Sequence, residues 1–348
     1  MADDVAQKLR LRLPSLKESE VLAPYTTMKV GGRADYFFVA KTIDDLVLAV
    51  TAAWELDLPY FILAGGSNIL VSDYGFPGLV VKNETQHLVF LEEKSQVIAD
   101  SGTPLGFFIA QCASRGLSGF EWAGGIPGTI GGALYGNMAA WGSDNATINF
   151  VRTATLLVPP GWKGRNELAR RGGVASERMG RGNDVAPPSI VTVKPSWFAA
   201  GYRTTKLKEM AAKGEKRIPV ILTVRFQLSR KRQDEIIATL RHFQQYRQDR
   251  QPIGAMTMGS TFRNPGGFPT PATMTQNLQA AGWYIEQAGL KSKRVGGATI
   301  SSKHANFLIN DGTATARDVR KLIEEMQDQV REKFKIELRE EIEYVGRW

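Results

Sequence analysis

The chain has 348 residues, of which 43% are hydrophobic and 23% charged, and a net charge of +9. That length predicts two or three domains, and the composition is that of a soluble globular protein rather than a disordered or fibrous one. One cysteine, Cys112, excludes an internal disulfide, and three histidines far apart (His87, His242, His304) give no metal-type spacing, so no metal site is expected.

Residues 1–24 read as a leader helix or tail. They are polar and charged, without the apolar core of a signal peptide, and no later segment reaches membrane-spanning length; a cytoplasmic enzyme is expected. Residues 27–40 read as strand, turn at Gly31-Gly32, strand. Thr42 with Asp45 forms a capping box opening a helix that carries Leu46, Val50 and Trp54 at helical spacing. A buried strand at 60–63, the run Gly65-Gly66-Ser67-Asn68 and a strand at 69–71 follow. Thr103 as N-cap, Pro104 at the first position and Gly116 past the end frame another helix, in which Cys112 reads as a small buried hydrophobe.

Residues 161–196 break the rhythm. They are rich in Gly, Arg and Pro and predict a long surface insertion before regular structure resumes with a strand at 219–228. A helix at 230–247 presents Ile236, Leu240 and Phe243 on one face. Thr315 and Asp318 open the last long helix, whose Val319, Leu322, Met326, Val330 and Phe334 make a core stripe. Helices and strands mix without strict alternation, which predicts an α+β fold rather than a doubly wound α/β one.

A strand, a Gly-Gly turn and a second strand let backbone N–H groups converge on an anion, with the Ser67 hydroxyl and Asn68 amide as further donors. A second glycine-rich element runs from Gly124 to Gly132 and is followed by Asn137. Neither has the dinucleotide G-x-G-x-x-G spacing. For either alone, a tight structural turn is the competing reading. The basic balance favours anionic partners, and the scattered Lys and Arg favour phosphorylated small molecules over nucleic acid or a membrane surface.

The order of the blocks is more specific than any one of them. Gly65-Gly66-Ser67-Asn68, Gly125-Ile126-Pro127-Gly128-Thr129-Ile130-Gly131-Gly132, Tyr202-Arg203, Gly259-Ser260-Thr261-Phe262-Arg263-Asn264-Pro265, Ser302-Lys303-His304-Ala305-Asn306-Phe307 and Leu338-Arg339-Glu340-Glu341-Ile342 follow one another. In this order they resemble the UDP-N-acetylenolpyruvoylglucosamine reductase family, over about residues 25–346 apart from the insertion. The resemblance implies an FAD-binding two-subdomain fold of the vanillyl-alcohol-oxidase type with a C-terminal α+β substrate domain. It divides the chain into a tail (1–24), FAD subdomains at 25–94 and 95–228, and a substrate domain at 229–348. It implies FAD held by Gly65, Gly66, Ser67, Asn68, Gly125, Pro127, Gly128, Gly131, Gly132 and Asn137. No His or Cys lies beside the first loop, so the FAD is expected to be non-covalent. Where the family reads Asn-Ala-Gly this chain reads Asn137-Met138-Ala139.

The implied reaction is an oxidoreductase step of peptidoglycan precursor synthesis: NADPH, through FAD, reduces UDP-N-acetylglucosamine enolpyruvate to UDP-N-acetylmuramate. Three residues take catalytic positions. Arg203 meets the substrate carboxylate in a bidentate fork, Tyr202-Arg203-Thr204-Thr205 matching the family's Tyr-Arg-x-Ser with Thr205 for Ser. Ser260 protonates the carbon alpha to that carboxylate. Glu341, with a raised pKa, shares a proton with the developing charge, and Glu340 is its rival if the register slips by one. Without the resemblance, a surface salt bridge for Arg203 and a turn serine for Ser260 are the competing readings. Tyr202, Arg250, Asn264, Lys303 and His304 are the expected substrate contacts, a satisfied structural histidine being the alternative for His304. NADPH and the sugar nucleotide are expected to use one pocket in turn. Two other readings stand beside this one: a small-molecule oxidase of the same flavin fold, and a basic nucleotide- or nucleic-acid-binding protein without catalysis.

Overall fold

A computed structural model describes residues 2–162, 188–267 and 278–348. The chain divides into two compact units, the first Met1–Lys17, Phe37–Ala64 and Leu79–Leu240, the second Glu18–Tyr36, Gly65–Gly78 and Arg241–Trp348. The mixture of helices with mainly antiparallel sheets is the α+β class expected.

The first unit is built on a five-stranded antiparallel sheet in the order Ser189–Val193, Val151–Val158, Val220–Gln227, Gln96–Asp100, Leu88–Leu91. Val97 and Ala99, Leu156, and Val224 and Phe226 are buried, and their alternates Ile98, Thr155 and Arg225 are only half-buried. This period-two alternation marks a sheet with one packed face. On the packed face Phe226 meets Phe108 of the helix Leu105–Ala113 and Phe120, with ring centroids 5.2 and 5.1 Å away. Tyr60–Leu63 pairs in parallel with the strand Phe76–Asn83, Phe61 lying opposite Val80. The helix Ile43–Glu55 opens with the expected reciprocal Thr42–Asp45 capping box and buries Leu46, Val50 and Trp54. Cys112 is buried as expected, and burial pushes its thiol pKa up to about 12.

The second unit packs around the helix Ala316–Phe334, whose Val319, Leu322, Ile323, Met326 and Val330 are buried against Met28, Leu70, Phe262, Ile300 and Leu338. The Thr315–Asp318 capping box is present. Asp73 adds a cap the sequence did not announce, accepting from Ala316 N at 2.8 Å and Arg317 N at 3.0 Å. A parallel pair joins Ile69–Val71 to Glu343–Val345. The turn beside it admits only glycine at Gly75, where a Cβ would lie 1.8 Å from the Arg33 carbonyl oxygen and φ is +75°.

Several expectations need correction. Residues 27–32 are not a strand: Lys29 has φ 58°, and the Thr26 hydroxyl lies 3.2 Å from the Val30 carbonyl, folding the segment on itself. Of residues 1–24, Ala2–Arg12 form the leader helix that was one of the two expected readings, but the strand Lys17–Val21 was not expected. The helix after Thr103 has Pro104 at its N-cap, and the Thr103 hydroxyl is buried without a hydrogen-bond partner instead of capping. The helix expected at 230–247 is Gln233–Arg250. Most of the expected insertion, 163–187, lies outside the described residues. Its last part is regular: the β-branched run Ser189–Val193 pairs along Val151–Val158.

Replacing Asp73 by Ala leaves two helix N-terminal amides without their carboxylate and is expected to cost about 1 kcal/mol. A thermal melt checks this; an unchanged midpoint would show the cap to be idle.

Candidate active site

In the second unit, Gly65-Gly66-Ser67-Asn68 precedes the strand Ile69–Val71. Gly66 has φ +62°, and a Cβ there would lie 2.4 Å from the Tyr25 carbonyl oxygen, so the turn needs glycine. Among the described residues the backbone N–H groups of Gly65, Gly66 and Asn68 take no hydrogen bond. Three unengaged amides at one turn form a cradle suited to an anionic group such as a diphosphate.

The parallel pairing brings the chain's last segment to this loop. The amide of Asn68 donates to the Glu341 carbonyl oxygen at 3.1 Å, and Glu343 N donates to the Asn68 carbonyl at 3.0 Å. Glu341 N donates to the Thr261 carbonyl at 2.8 Å, and Thr261 N to the Asn306 carbonyl at 2.8 Å. Ser260 forms a bridge with Phe307, and its hydroxyl takes no hydrogen bond among the described residues. Gly259, at φ +81°, comes so close to the cradle that a Cβ would stand 3.7 Å from the Ser67 carbonyl oxygen. Thus Ser67, Asn68, Ser260 and Glu341, scattered over more than 270 residues, share one small region. Asn306 holds it rigid: Phe262 N donates to its Oδ1 at 2.9 Å, and its Nδ2 donates to the Phe262 carbonyl at 2.8 Å.

Glu340 is engaged elsewhere. Its Oε1 accepts from Gln327 Nε2 at 3.0 Å, on the helix Ala316–Phe334.

The other expected contacts of this unit have partners of their own. Asn264 Oδ1 accepts from Ala281 N at 3.1 Å, at the start of the helix Ala281–Gln287. Lys303 Nζ donates to the Gln248 carbonyl at 2.5 Å, and Arg250, exposed at its helix's end, stacks 4.4 Å from the Tyr246 ring. His304 accepts from Asn306 N through Nδ1 at 3.3 Å and packs on Phe307 with ring centroids 4.8 Å apart. Burial, and then the Lys291 charge, hold its pKa below the usual histidine value.

In the first unit the second glycine loop uses Gly125 and Gly128 at φ 82° and 136°. Gly131 N donates to the Ser101 carbonyl at 2.7 Å, and a Cβ on Gly131 would lie 2.8 Å from Ser101 Cβ. The Thr129 side chain caps the short helix Ile130–Tyr135. Gly125 and Gly132 are exposed, and the Gly125 and Gly128 amides take no hydrogen bond among the described residues. Asn137 follows, and its amide donates to the Gly201 carbonyl at 2.8 Å, beside Tyr202 and Arg203. The Arg203 guanidinium lies 5.7 Å from the Tyr202 ring.

One residue escaped the sequence reading. Lys82 donates to the Ala64 carbonyl at 2.8 Å, fixing the residue before the first cradle, and burial lowers its pKa. Its signal was a single lysine in the otherwise apolar run Leu79-Val80-Val81-Lys82.

Comparison with known proteins yields two family models. One, described as the C-terminal domain of UDP-N-acetylenolpyruvoylglucosamine reductase, matches residues 251–345; the other, an FAD binding domain, matches 34–161. The UDP-N-acetylenolpyruvoylglucosamine reductase of Anoxybacillus flavithermus is 34% identical over 97% of this chain and 97% of its own. That of Acaryochloris marina is 35% identical over 94% of this chain and 92% of its own. The crystal structure of UDP-N-acetylenolpyruvylglucosamine reductase from Thermus caldophilus superposes with a TM-score of 0.69 at 26% identity, covering 94% of this chain and 98% of that one.

The half-buried imidazole makes stability depend on pH. With its folded pKa depressed, the neutral form of His304 supports the fold fully above about pH 6.5, its ordinary value. That contribution is lost as pH falls, because the unfolded chain takes up the proton first. NMR titration is expected to show His304 titrating below 6.5; a midpoint at or above it would contradict the burial account.

Proposed function

The chain belongs to the UDP-N-acetylenolpyruvoylglucosamine reductase family, and from that premise we propose that NADPH is its hydride donor and that Arg203, Ser260 and Glu341 carry its chemistry. It is an FAD-dependent oxidoreductase that reduces the enolpyruvyl ether of a UDP-sugar in peptidoglycan synthesis. The proposed substrate is UDP-N-acetylglucosamine enolpyruvate, the product UDP-N-acetylmuramate and the setting the cytoplasm. The finer division into FAD subdomains at 25–94 and 95–228 and a substrate domain at 229–348 belongs to the same proposal.

The residues fit the cofactor. Gly65, Gly66 and Asn68 offer unengaged amides for its diphosphate, and Gly125 and Gly128 offer two more beside exposed backbone. No His or Cys stands beside the first loop in the sequence, and non-covalent attachment is proposed on that ground. FAD, when bound, supplies the hydride that reaches the vinyl carbon of the substrate.

The protein's own groups do the rest. Arg203 grips the substrate carboxylate with its planar fork and stabilises the negative charge pushed onto it. Ser260 gives its proton to the carbon alpha to that carboxylate, since an enolate is basic enough to take it from a well-placed hydroxyl. Glu341 holds a proton against the charged carboxylate. The observation that carries this reading is the shared region of Ser260, Glu341 and the first cradle, joined by the Glu341–Thr261 and Asn68–Glu341 hydrogen bonds of 2.8 and 3.1 Å. Arg250 and Asn264 are proposed as diphosphate contacts. Lys303 and His304 are proposed as further substrate contacts, and for His304 the Asn306 and Phe307 partners favour the structural alternative.

Two outcomes test the reading. Acid precipitation is expected to leave the yellow flavin in the supernatant; colour in the pellet would mean a covalent link. In Ser260→Ala, NADPH still reduces the flavin, but reoxidation by the enolpyruvyl sugar slows by at least about 10²–10⁴-fold. Near-normal turnover of that variant removes Ser260 from the mechanism.

A further inference from the structure

The turn that carries Arg203 is held at both ends by side chains of other roles. Asn137 is 2% exposed and follows the helix Ile130–Tyr135 with φ 43°. Its Nδ2 donates to the Gly201 carbonyl at 2.8 Å, and its Oδ1 accepts from Ile148 N at 3.1 Å. Both ends of the carboxamide are therefore engaged inside the protein, and burial shields what remains. Thr205 is fully buried; its hydroxyl donates to the Tyr135 carbonyl at 2.6 Å and caps the helix Lys206–Ala212. Between these anchors Gly201 and Thr204 exchange hydrogen bonds of 3.0 and 3.4 Å.

Arg203 itself has φ 58°, in the left-handed region. For a residue with a Cβ this conformation is unfavourable and persists where the surroundings over-determine it. The anchors at 201 and 205 do that, each fastened to the end of one short helix.

We infer that Asn137 and Thr205 are positioning residues for Arg203, holding its backbone in the left-handed conformation that aims the guanidinium at the substrate carboxylate. The inference rests on the reading of Arg203 as the carboxylate clamp. It moves Asn137 from the flavin, where the sequence put it, to the substrate side of the reaction. A side chain long and flexible as arginine loses its bidentate fit when its Cα shifts, and a misplacement of 1 Å costs about 10²-fold in rate.

The test uses the FAD-loaded protein under anaerobic stopped flow, with flavin reduction by NADPH and reoxidation by the enolpyruvyl sugar measured separately. FAD affinity is measured on the apoprotein by fluorescence titration. Asn137→Ala and Thr205→Val are each expected to slow reoxidation by about 10–10²-fold and to raise the KM for the sugar nucleotide. Thr205→Ser, which keeps the hydroxyl, restores the rate. FAD affinity and flavin reduction stay near wild type in all three. Asn137→Ala adds no loss to Arg203→Ala, because both remove one function.

Normal reoxidation in Asn137→Ala and Thr205→Val beside a crippled Arg203→Ala overturns the inference alone. So does a parallel loss of FAD affinity and both half-reactions, which marks a structural or flavin role. Unimpaired reoxidation in Arg203→Ala overturns the clamp and the inference with it. If Asn137→Ala does not fold, the contrast between Thr205→Val and Thr205→Ser decides.

Discussion

The parallel pairing of Ile69–Val71 with Glu343–Val345 is the constraint on which the second unit's site depends. The glycine loop that precedes the first strand and the glutamates that precede the second are distant in sequence, and neither is placed by local structure. Parallel pairing fixes register by backbone hydrogen bonds, and a slip by one residue would turn every side chain to the opposite side. Here Glu343 lies opposite Ile69, so Asn68 falls beside Glu341 and donates to its carbonyl. The close glycine approach at Gly346, where a Cβ would lie 2.0 Å from the Gly75 carbonyl oxygen, leaves no room for another register.

Once that strand is in place, the site follows from backbone alone. Glu341 N meets the Thr261 carbonyl, which sets Ser260 one residue away, and Asn306 clamps Phe262 from the far side. The groups proposed to move protons thus sit on segments held by main-chain hydrogen bonds rather than on flexible loops. Such preorganisation is what electrostatic stabilisation needs, because groups already in place need not reorient as charge develops. The first unit reaches the same end differently. Its arginine stands on a turn in an unfavourable conformation, and two buried hydrogen-bonding side chains keep it there.

What the sequence discloses divides by range. Both capping boxes, the apolar stripe of Ala316–Phe334 and the strands at 60–63 and 69–71 rest on neighbours within a few residues, and all were legible. The Thr103 cap failed because Pro104 takes the N-cap position itself. The strand Ser189–Val193 was hidden by its Gly- and Pro-rich surroundings, though its Ile-Val-Thr-Val run carried the signal. Block order identified the family and proposed the reacting residues. It did not disclose the use of Asn68 and Asn137, because a carboxamide reads equally as a ligand donor and as a clamp until its backbone partner is known. The rivalry of Glu340 and Glu341 likewise had no local answer; the engagement of Glu340 by Gln327 favours Glu341.

The most direct measurement is the anaerobic reoxidation of NADPH-reduced flavin by UDP-N-acetylglucosamine enolpyruvate in the wild type and in Glu341→Gln and Glu340→Gln. Rapid, stoichiometric reoxidation in the wild type, nearly lost in Glu341→Gln and largely kept in Glu340→Gln, is the result this account predicts. Reduced flavin that answers to oxygen but not to the enolpyruvyl sugar, or a Glu341→Gln variant as fast as the wild type, would contradict it.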